Sequence, residues 1–461
     1  MLQSFLPLCK QTRRIMRNVL FVSLGCDKNL ADSEEMLGLL VAHGYTITND
    51  ETKADVAVVN TCAFIHDAKE ESIANILEMA RYKEEGTLKV LAVTGCLAQR
   101  YKEEIIKEIP EVDVVLGTTS FDDLLKALDQ AFEGEKYLEF KDISAMPEIE
   151  SKRMITTGGH FEYLKIAEGC DKHCTYCIIP KLRGKYRSVP MEKLIRQAEY
   201  LAEQGVKELI LVAQETTIYG MDLYGEKSLH RLLKALCQIP GICWIRVLYC
   251  YPEEIYPELI QVMKEEKKIC HYLDLPIQHA SDKILKRMGR RTTKEELKQI
   301  VSDLRTAIPD IILRTTLITG FPGETQEDHE ELMDFIDEME FDRLGVFTYS
   351  PEEDTPAASM PDQIPEEVKE DRQAELMELQ QEISFDKGNE RIGKEVLVMI
   401  EGKVADENAY VGRTYGDAPN VDGYIFINTD TELMSGDLCQ VHITGALEYD
   451  LIGELKDEYT K

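Results

Sequence analysis

"FEYLKIAEGCDKHCTYC" (Phe161–Cys177) decides how the chain is read. An apolar run suited to a strand ends in Cys170, Cys174 and Cys177, spaced C-x3-C-x2-C at the strand's carboxyl end. Clustered thiolates select zinc or an iron–sulfur cluster. A structural zinc site needs a fourth Cys or His at finger-like spacing. His173 is too close to Cys174 to serve easily, and no C-x2-C partner follows. A four-iron four-sulfur cluster works with three protein thiolates, leaving one iron open to a small molecule.

Working outward, the same strand texture recurs in "VKELILVAQ", "WIRVLYCY", "CHYLDLPIQ", "IILRTTLITG" and "RLGVFTYS", with amphipathic helices between. Six such units over 161–388 predict a partial (β/α)6 barrel, whose reactive groups sit at the carboxyl ends of its strands. Upstream, 18–134 repeats a shorter theme: "VLFVSLGC", "DVAVVNTC" and "KVLAVTGC" each run into a helix, and "VDVVLG" follows. Continuous apolar strands alternating with helices predict a parallel sheet covered on both faces, an α/β sandwich. Between these segments, 135–160 reads as a polar linker. From 389 to 461, "EVLVMIEG", "AYVGRTYG", "GYIFINT", "LCQVHITGA" and "LIGEL" predict five short strands, a small β-barrel of the oligonucleotide-binding type. The fold class is α/β with that C-terminal barrel appended.

Cys26, Cys62 and Cys96 each end a strand of the first predicted sheet. Open α/β sheets bind ligands at those ends, so the three thiols converge on one edge, beside helix N-termini that favour an anionic cluster. A single strand-end cysteine is read as a small buried hydrophobe; three in successive units are read as a second three-thiolate site. Cys237, Cys243, Cys250, Cys270 and Cys439 lie in apolar elements and read as packing residues. Gln214 and Glu215 end the second barrel strand, where they can meet a cofactor or remain a solvated strand end. "KRMGRR" (Lys286–Arg291) reads as an exposed helix end.

Composition narrows the class. The chain has 461 residues, 44% hydrophobic and 30% charged, which excludes wholesale disorder. No apolar stretch is long enough to span a bilayer. Residues 1–17 read as an N-terminal extension with Met16 as an alternative start, not as a signal peptide; the expected compartment is the cytoplasm. Twelve cysteines without a secretory signal point to metal or redox ligands rather than disulfides. No P-loop and no G-x-G-x-x-G is found. With 53 basic and 85 acidic residues the net charge is −32, a field that repels phosphates and attracts basic partners.

The C-x3-C-x2-C loop with Tyr176 before its last cysteine resembles the radical S-adenosylmethionine superfamily, and "LITGFPGE", ending at Glu324, resembles that superfamily's glycine-containing strand near the adenine. Together with the N-terminal cysteines, the resemblance narrows to methylthiotransferases. "SLGCDKNLADSE", "NTCAFIHDAKEES", "VTGCLAQRY", "KIAEGCDKHCTYCIIPKLRGKYRS" and "GVFTYSPEEDTPA" look most like the RimO-type enzymes. The last segment is similar to a TRAM domain. Asp27 stands where proline is usual, and Glu215 where that group has Asp.

The resemblance implies an enzyme that methylthiolates an aspartate β-carbon in a basic small-subunit ribosomal protein. It implies two 4Fe-4S clusters, one on Cys170, Cys174 and Cys177 and one, carrying sulfur, on Cys26, Cys62 and Cys96. S-adenosylmethionine serves as radical source and methyl donor, with Tyr176, Gln214, Glu215 and Glu324 as cofactor-binding candidates. A flavodoxin- or ferredoxin-like electron donor is implied; a membrane role is not. Two alternatives stay open: a tRNA adenosine methylthiotransferase and a non-catalytic metal-binding translation factor. Residues 390–461 hold six basic and fifteen acidic residues, the opposite of a phosphate-gripping domain. Direct RNA binding is therefore not expected to dominate, and the acidic barrel is expected to dock the basic substrate.

Overall fold

A computed structural model describes residues 17–148, 152–405 and 407–456. The expected extension, with Cys9 and Met16, lies outside the described residues apart from Arg17. Two compact units divide the chain near Met154.

In the first unit, β1 (Arg17–Ser23), β2 (Tyr45–Ile47), β3 (Val56–Thr61), β4 (Val90–Gly95), β5 (Val114–Leu116) and β6 (Tyr137–Glu139) form one parallel sheet ordered β2-β1-β3-β4-β5-β6. Its helices are α1 (Asp27–Ala42), α2 (His66–Glu84), α3 (Cys96–Tyr101), α4 (Glu103–Glu108) and α5 (Leu124–Phe132). Val56, Val58, Val90 and Ala92 pack with Met36 and Leu40 of α1 and Leu124 and Leu128 of α5. The alternate residues Ala57, Val59, Leu91 and Val93 are equally buried, which is why these strands read as unbroken apolar runs. Each buried Val or Leu stabilises by about 1.5–3 kcal/mol relative to exposure.

Two strands go beyond the sequence pattern. β2 and β6 have three residues each, too few to show a period, and β6 falls inside the stretch read as linker. It is held by backbone pairing to β5, with only Tyr137 reaching the core. The helix expected after Cys96 breaks into α3 and α4 at Lys102, whose φ is 47°.

The second unit begins with an open parallel sheet. Its strands are β7 (Phe161–Lys165), β10 (Glu208–Val212), β11 (Trp244–Val247), β12 (Ile269–Asp274), β13 (Ile312–Thr319) and β14 (Arg343–Thr348), side by side in sequence order. All six coincide with the predicted barrel strands. Between β7 and β10 a two-residue antiparallel pair, β8 (Ala167–Glu168) with β9 (Arg187–Ser188), brackets the cysteine loop and α6 (Ile179–Arg183). The covering helices are α7 (Met191–Glu203), α8 (Met221–Tyr224), α9 (Leu229–Cys237), α10 (Pro257–Glu265), α11 (Asp282–Met288), α12 (Lys294–Ala307) and α13 (Gln326–Met339). α12 and α13 start sharply because Thr293 with Glu296 and Thr325 with Asp328 form reciprocal capping boxes. The long α14 (Glu366–Asn389) packs on β14 and leads to the last barrel.

That barrel closes in the order β15-β16-β17-β19-β18, from β15 (Glu395–Lys403), β16 (Ala409–Thr414), β17 (Ile425–Asn428), β18 (Leu438–Ala446) and β19 (Leu451–Leu455). Alternate residues Cys439, Val441 and Ile443 of β18 face its core.

The small barrel is fastened to the amino ends of the (β/α) strands. Glu208, the first residue of β10, takes Arg246 Nε at 2.8 Å and Arg413 Nη2 at 2.8 Å, all three side chains 0% exposed. Arg413 also donates to Glu401 Oε1 at 2.6 Å and to the Asp417 carbonyl at 2.9 Å. Arg343 pairs with Asp417, and Tyr272 donates to Asp422 Oδ2 at 2.7 Å. Glu401, Asp417 and Asp422 are thus spent on internal pairing. The acidity expected to dock a partner resides instead in exposed side chains such as Glu407, Glu432 and Glu448. Among the described residues no helix is long and apolar enough to cross a membrane.

Candidate functional site

The first sheet brings its three cysteine loops together. Cys26 follows β1 after Leu24 and Gly25 and stands at the N-cap of α1, Cys62 follows β3 directly, and Cys96 opens α3 after β4. Strand order reverses between β1 and β3, so Cys26 and Cys62 flank the switch point where open α/β sheets take ligands. A Cβ added at Gly25 would stand 2.7 Å from Cys62 Cβ and 3.0 Å from its Sγ. One added at Gly95 would stand 2.4 Å from Asn60 Oδ1 and 2.5 Å from the Thr61 carbonyl. Both glycines have φ near +90°, and only a residue without a side chain lets the loops close in this way.

Polar side chains hold these loops. Asn29 Nδ2 donates to the carbonyls of Leu24 and Thr61, both at 2.9 Å. Asn60 Nδ2 donates to the Asn29 carbonyl at 3.0 Å and to Ser33 Oγ at 2.8 Å. Ser72 Oγ accepts from Cys62 N at 3.0 Å and donates to the Cys62 carbonyl at 2.9 Å. Sequence reasoning passes over these residues, although polar residues do stand beside the cysteines in "GCDKN" and "VNTC". Cys62 and Cys96 are buried, while Cys26 is exposed.

The second triad lies on one loop. Gly169, at φ 78°, precedes Cys170, and a Cβ there would meet the Lys185 carbonyl at 2.2 Å. Cys170 N donates to the Gly184 carbonyl at 3.2 Å, Thr175 N to the Met288 carbonyl at 2.9 Å, and Cys177 N to the Cys174 carbonyl at 3.1 Å. Cys170 and Cys174 are buried and Cys177 half-buried. Burial pushes the Cys170 and Cys177 thiols up to about 12; metal coordination is what deprotonates such groups. Three cysteines on one loop with no fourth Cys or His at ligand spacing are the donor chemistry of an iron–sulfur cluster with one open iron rather than of a closed zinc site.

Around this loop the strand ends of the barrel carry buried polar groups. Glu168 is held by Lys165 at 3.0 Å and Arg183 at 3.2 Å, and accepts from Gln214 Nε2 at 2.9 Å. Among the described residues Gln214 Oε1 is buried without a hydrogen-bond partner. Glu215 is 0% exposed, neither carboxylate oxygen accepts a hydrogen bond from a described residue, and Lys172 Nζ lies 3.8 Å away. Burial pushes its carboxyl up to about 8. Tyr176 packs edge-on against Phe321, ring centroids 6.5 Å apart.

Glu324 is committed elsewhere: Arg372 Nη1 lies 3.0 Å from Oε1, and Phe321 N donates to Oε2 at 3.0 Å. Its carboxylate therefore braces the loop after β13. Two residues escape the sequence reading. His279 is fully buried, its Nδ1 accepting from Ser281 N at 2.9 Å, and its Nε2 stands 3.7 Å from Glu324 Oε2. Arg290, in the run read as an exposed helix end, is 7% exposed and lies over the Tyr251 ring. The positive φ of Gly289 ends α11 and turns the chain inward there, which a charge count cannot foresee.

Comparison with known proteins follows the same division of the chain. Residues 18–117 match Uncharacterized protein family UPF0004, residues 164–336 the Radical SAM superfamily, and residues 392–455 the TRAM domain. A protein of Lachnoclostridium phytofermentans named Ribosomal protein uS12 methylthiotransferase RimO is 64% identical over 435 residues, covering 94% of this chain and 99% of the relative. A protein of the same name from Clostridioides difficile is 50% identical over 440 residues, 95% of this chain and 99% of the relative. Among solved structures, the radical S-adenosylmethionine methyltransferase TsrM from Kitasatospora setae superposes with a TM-score of 0.54 over 74% of each chain at 13% identity, a likeness of fold alone.

Proposed function

Because the chain belongs to the RimO family of ribosomal protein uS12 methylthiotransferases, we propose that it places a methylthio group on the β-carbon of an aspartate in uS12. It is a radical S-adenosylmethionine methylthiotransferase. The observation that supports the finer reading is that two groups of three cysteines in one chain each follow the carboxyl ends of parallel strands.

Cys170, Cys174 and Cys177 would hold one 4Fe-4S cluster, and Cys26, Cys62 and Cys96 a second. When bound, the first supplies with S-adenosylmethionine the radical that removes hydrogen from an unactivated carbon, a step beyond general bases, while the second carries sulfur and another S-adenosylmethionine gives the methyl group. The chain's own part is to bind and orient. Gln214 and Glu215 offer a buried amide oxygen and carboxylate to the ammonium of S-adenosylmethionine, and Tyr176 walls the adjoining space. Glu324 acts indirectly, keeping the loop after β13 in place through Arg372. The electron comes from a low-potential donor of the flavodoxin or ferredoxin class, and the setting is cytoplasmic.

Intact-mass analysis of small-subunit proteins from cells with and without this gene tests the substrate. Gain of one methylthio group on uS12 is expected; an unchanged uS12 with a modified tRNA would turn the reading to RNA. Anaerobic reconstitution tests the clusters, with about eight irons per chain expected for two 4Fe-4S groups. Replacing Cys26, Cys62 and Cys96 with Ala should abolish methylthiolation and leave S-adenosylmethionine cleavage measurable. Deleting 390–461 would uncover Glu208 and Arg246, so substrate docking by the small barrel is better read from reversal of exposed Glu407, Glu432 and Glu448 to Lys.

A further inference from the structure

Tyr251, just past the carboxyl end of β11, turns its phenol toward the cysteine loop. Its oxygen stands 3.7 Å from Cys174 Sγ, within hydrogen-bond range for sulfur. The backbone fixes it there: Tyr251 N donates to Thr217 Oγ1 at 3.0 Å, and a tight turn over Pro252–Glu254 follows. Two cations lie over its ring, Arg290 Cζ at 4.3 Å and Lys172 Nζ at 5.0 Å from the centroid. Arg290 is anchored by donating from Nη2 to the Pro276 carbonyl at 2.9 Å, while its buried Nε has no hydrogen-bond partner among the described residues. Lys172 is held by Glu254, by Glu253 at 3.5 Å and by Glu215 at 3.8 Å, and these carboxylates offset its charge, so Arg290 supplies the positive field at the ring.

A cysteine bound to iron is a thiolate with no proton to give. In this contact, therefore, only the phenol can donate. A donor aimed at a cluster sulfur, and positive charge beside it, favour the state carrying the extra electron, and so raise the reduction potential. We propose that Tyr251 is a positioning residue that donates to the Cys174 sulfur and, with Arg290 over its ring, raises the reduction potential of the radical-generating centre. The inference rests on the reading of Cys170, Cys174 and Cys177 as cluster ligands. It concerns one electron from the low-potential protein donor; no bond forms or breaks. The arrangement eases an uptake that a buried anionic site otherwise resists.

The test uses the full chain carrying Cys26→Ala, Cys62→Ala and Cys96→Ala, reconstituted so that only one cluster reports. Its midpoint potential is read by a dithionite titration followed by electron paramagnetic resonance, with iron content measured on every sample. Tyr251→Phe keeps the ring and removes the donor. It should lower the reduced-to-oxidised ratio at fixed potential about tenfold, a negative shift of about 59 mV for a one-electron couple. Arg290→Gln should shift the potential in the same direction by less. An iron-loaded Tyr251→Phe chain with an unshifted midpoint overturns the inference while leaving the cluster assignment standing. Should Tyr251→Phe lose its iron, Arg290→Gln decides alone, a negative shift supporting the inference and no shift overturning it. A parent chain that takes up no iron overturns the cluster assignment and the inference with it.

Discussion

Glu208 and Glu215 stand at opposite ends of one strand, and both are 0% exposed. Glu208 opens β10; burial would raise its carboxyl, yet the two arginines beside it hold it below the usual range. Glu215, three residues past the end of β10, has no hydrogen bond to either oxygen among the described residues, and burial raises it to about 8. The same side chain, equally buried, is held by two arginines at one end of the barrel and by no hydrogen bond among the described residues at the other. The amino end is therefore a joint between two barrels, whereas the carboxyl end carries the cysteine loop and the groups proposed to meet a cofactor.

The largest effect is expected where the joint is broken. Arg413→Ala removes one partner of Glu208 and of Glu401 together. Stripping one member from a buried ion pair costs about 3–5 kcal/mol, because a charge is left without compensation. Urea unfolding followed through Trp244, the one tryptophan and the residue paired with Glu208 across β10 and β11, should show the loss. A cost below about 1 kcal/mol, the worth of a solvated surface pair, would mean that the joint is wet.

The joint also marks where the sequence falls silent. All six strands of the barrel and all five of the small barrel were legible, because period and punctuation are local properties. That Cys26, Cys62 and Cys96 follow the strands β1, β3 and β4 was legible too, because strand ends in a parallel sheet share an edge. Which charges pair across 205 residues, as Glu208 and Arg413 do, is set by packing and has no local signature. The same holds for Arg290, buried although its neighbours Gly289 and Arg291 are exposed, and for Asn29 and Asn60, whose work is to bind carbonyls of other loops.

At the carboxyl end, Glu215→Gln should leave stability near neutral pH unchanged or improved, since it replaces a largely protonated, buried carboxyl that no hydrogen bond holds among the described residues. Its cost should appear in ligand affinity. A charge-assisted hydrogen bond to an ammonium is worth about 1.5–3 kcal/mol, so S-adenosylmethionine should bind about 10–100-fold more weakly to the iron-loaded variant. Equilibrium dialysis measures this directly. A loss of stability matching that of Arg413→Ala, with affinity retained, would make Glu215 a structural residue like Glu208.

The smallest effect has the sharpest sign. Folding raises the Glu215 pKa, so its contribution to stability is fully present below the unfolded value near 4.3 and is lost as pH rises toward about 8. Folding lowers the Glu208 pKa, so its contribution is present above about 4.3 and is lost as pH falls through the folded value. In the iron-free chain, stability relative to Glu215→Gln should therefore decline from pH 5 to pH 8. Relative to Glu208→Gln, it should decline from pH 5 downward. Either slope is bounded by about 1.4 kcal/mol per pH unit, the value of one proton. Slopes of the same sign would show that the two carboxylates share one electrostatic environment, and the contrast between joint and site would fall.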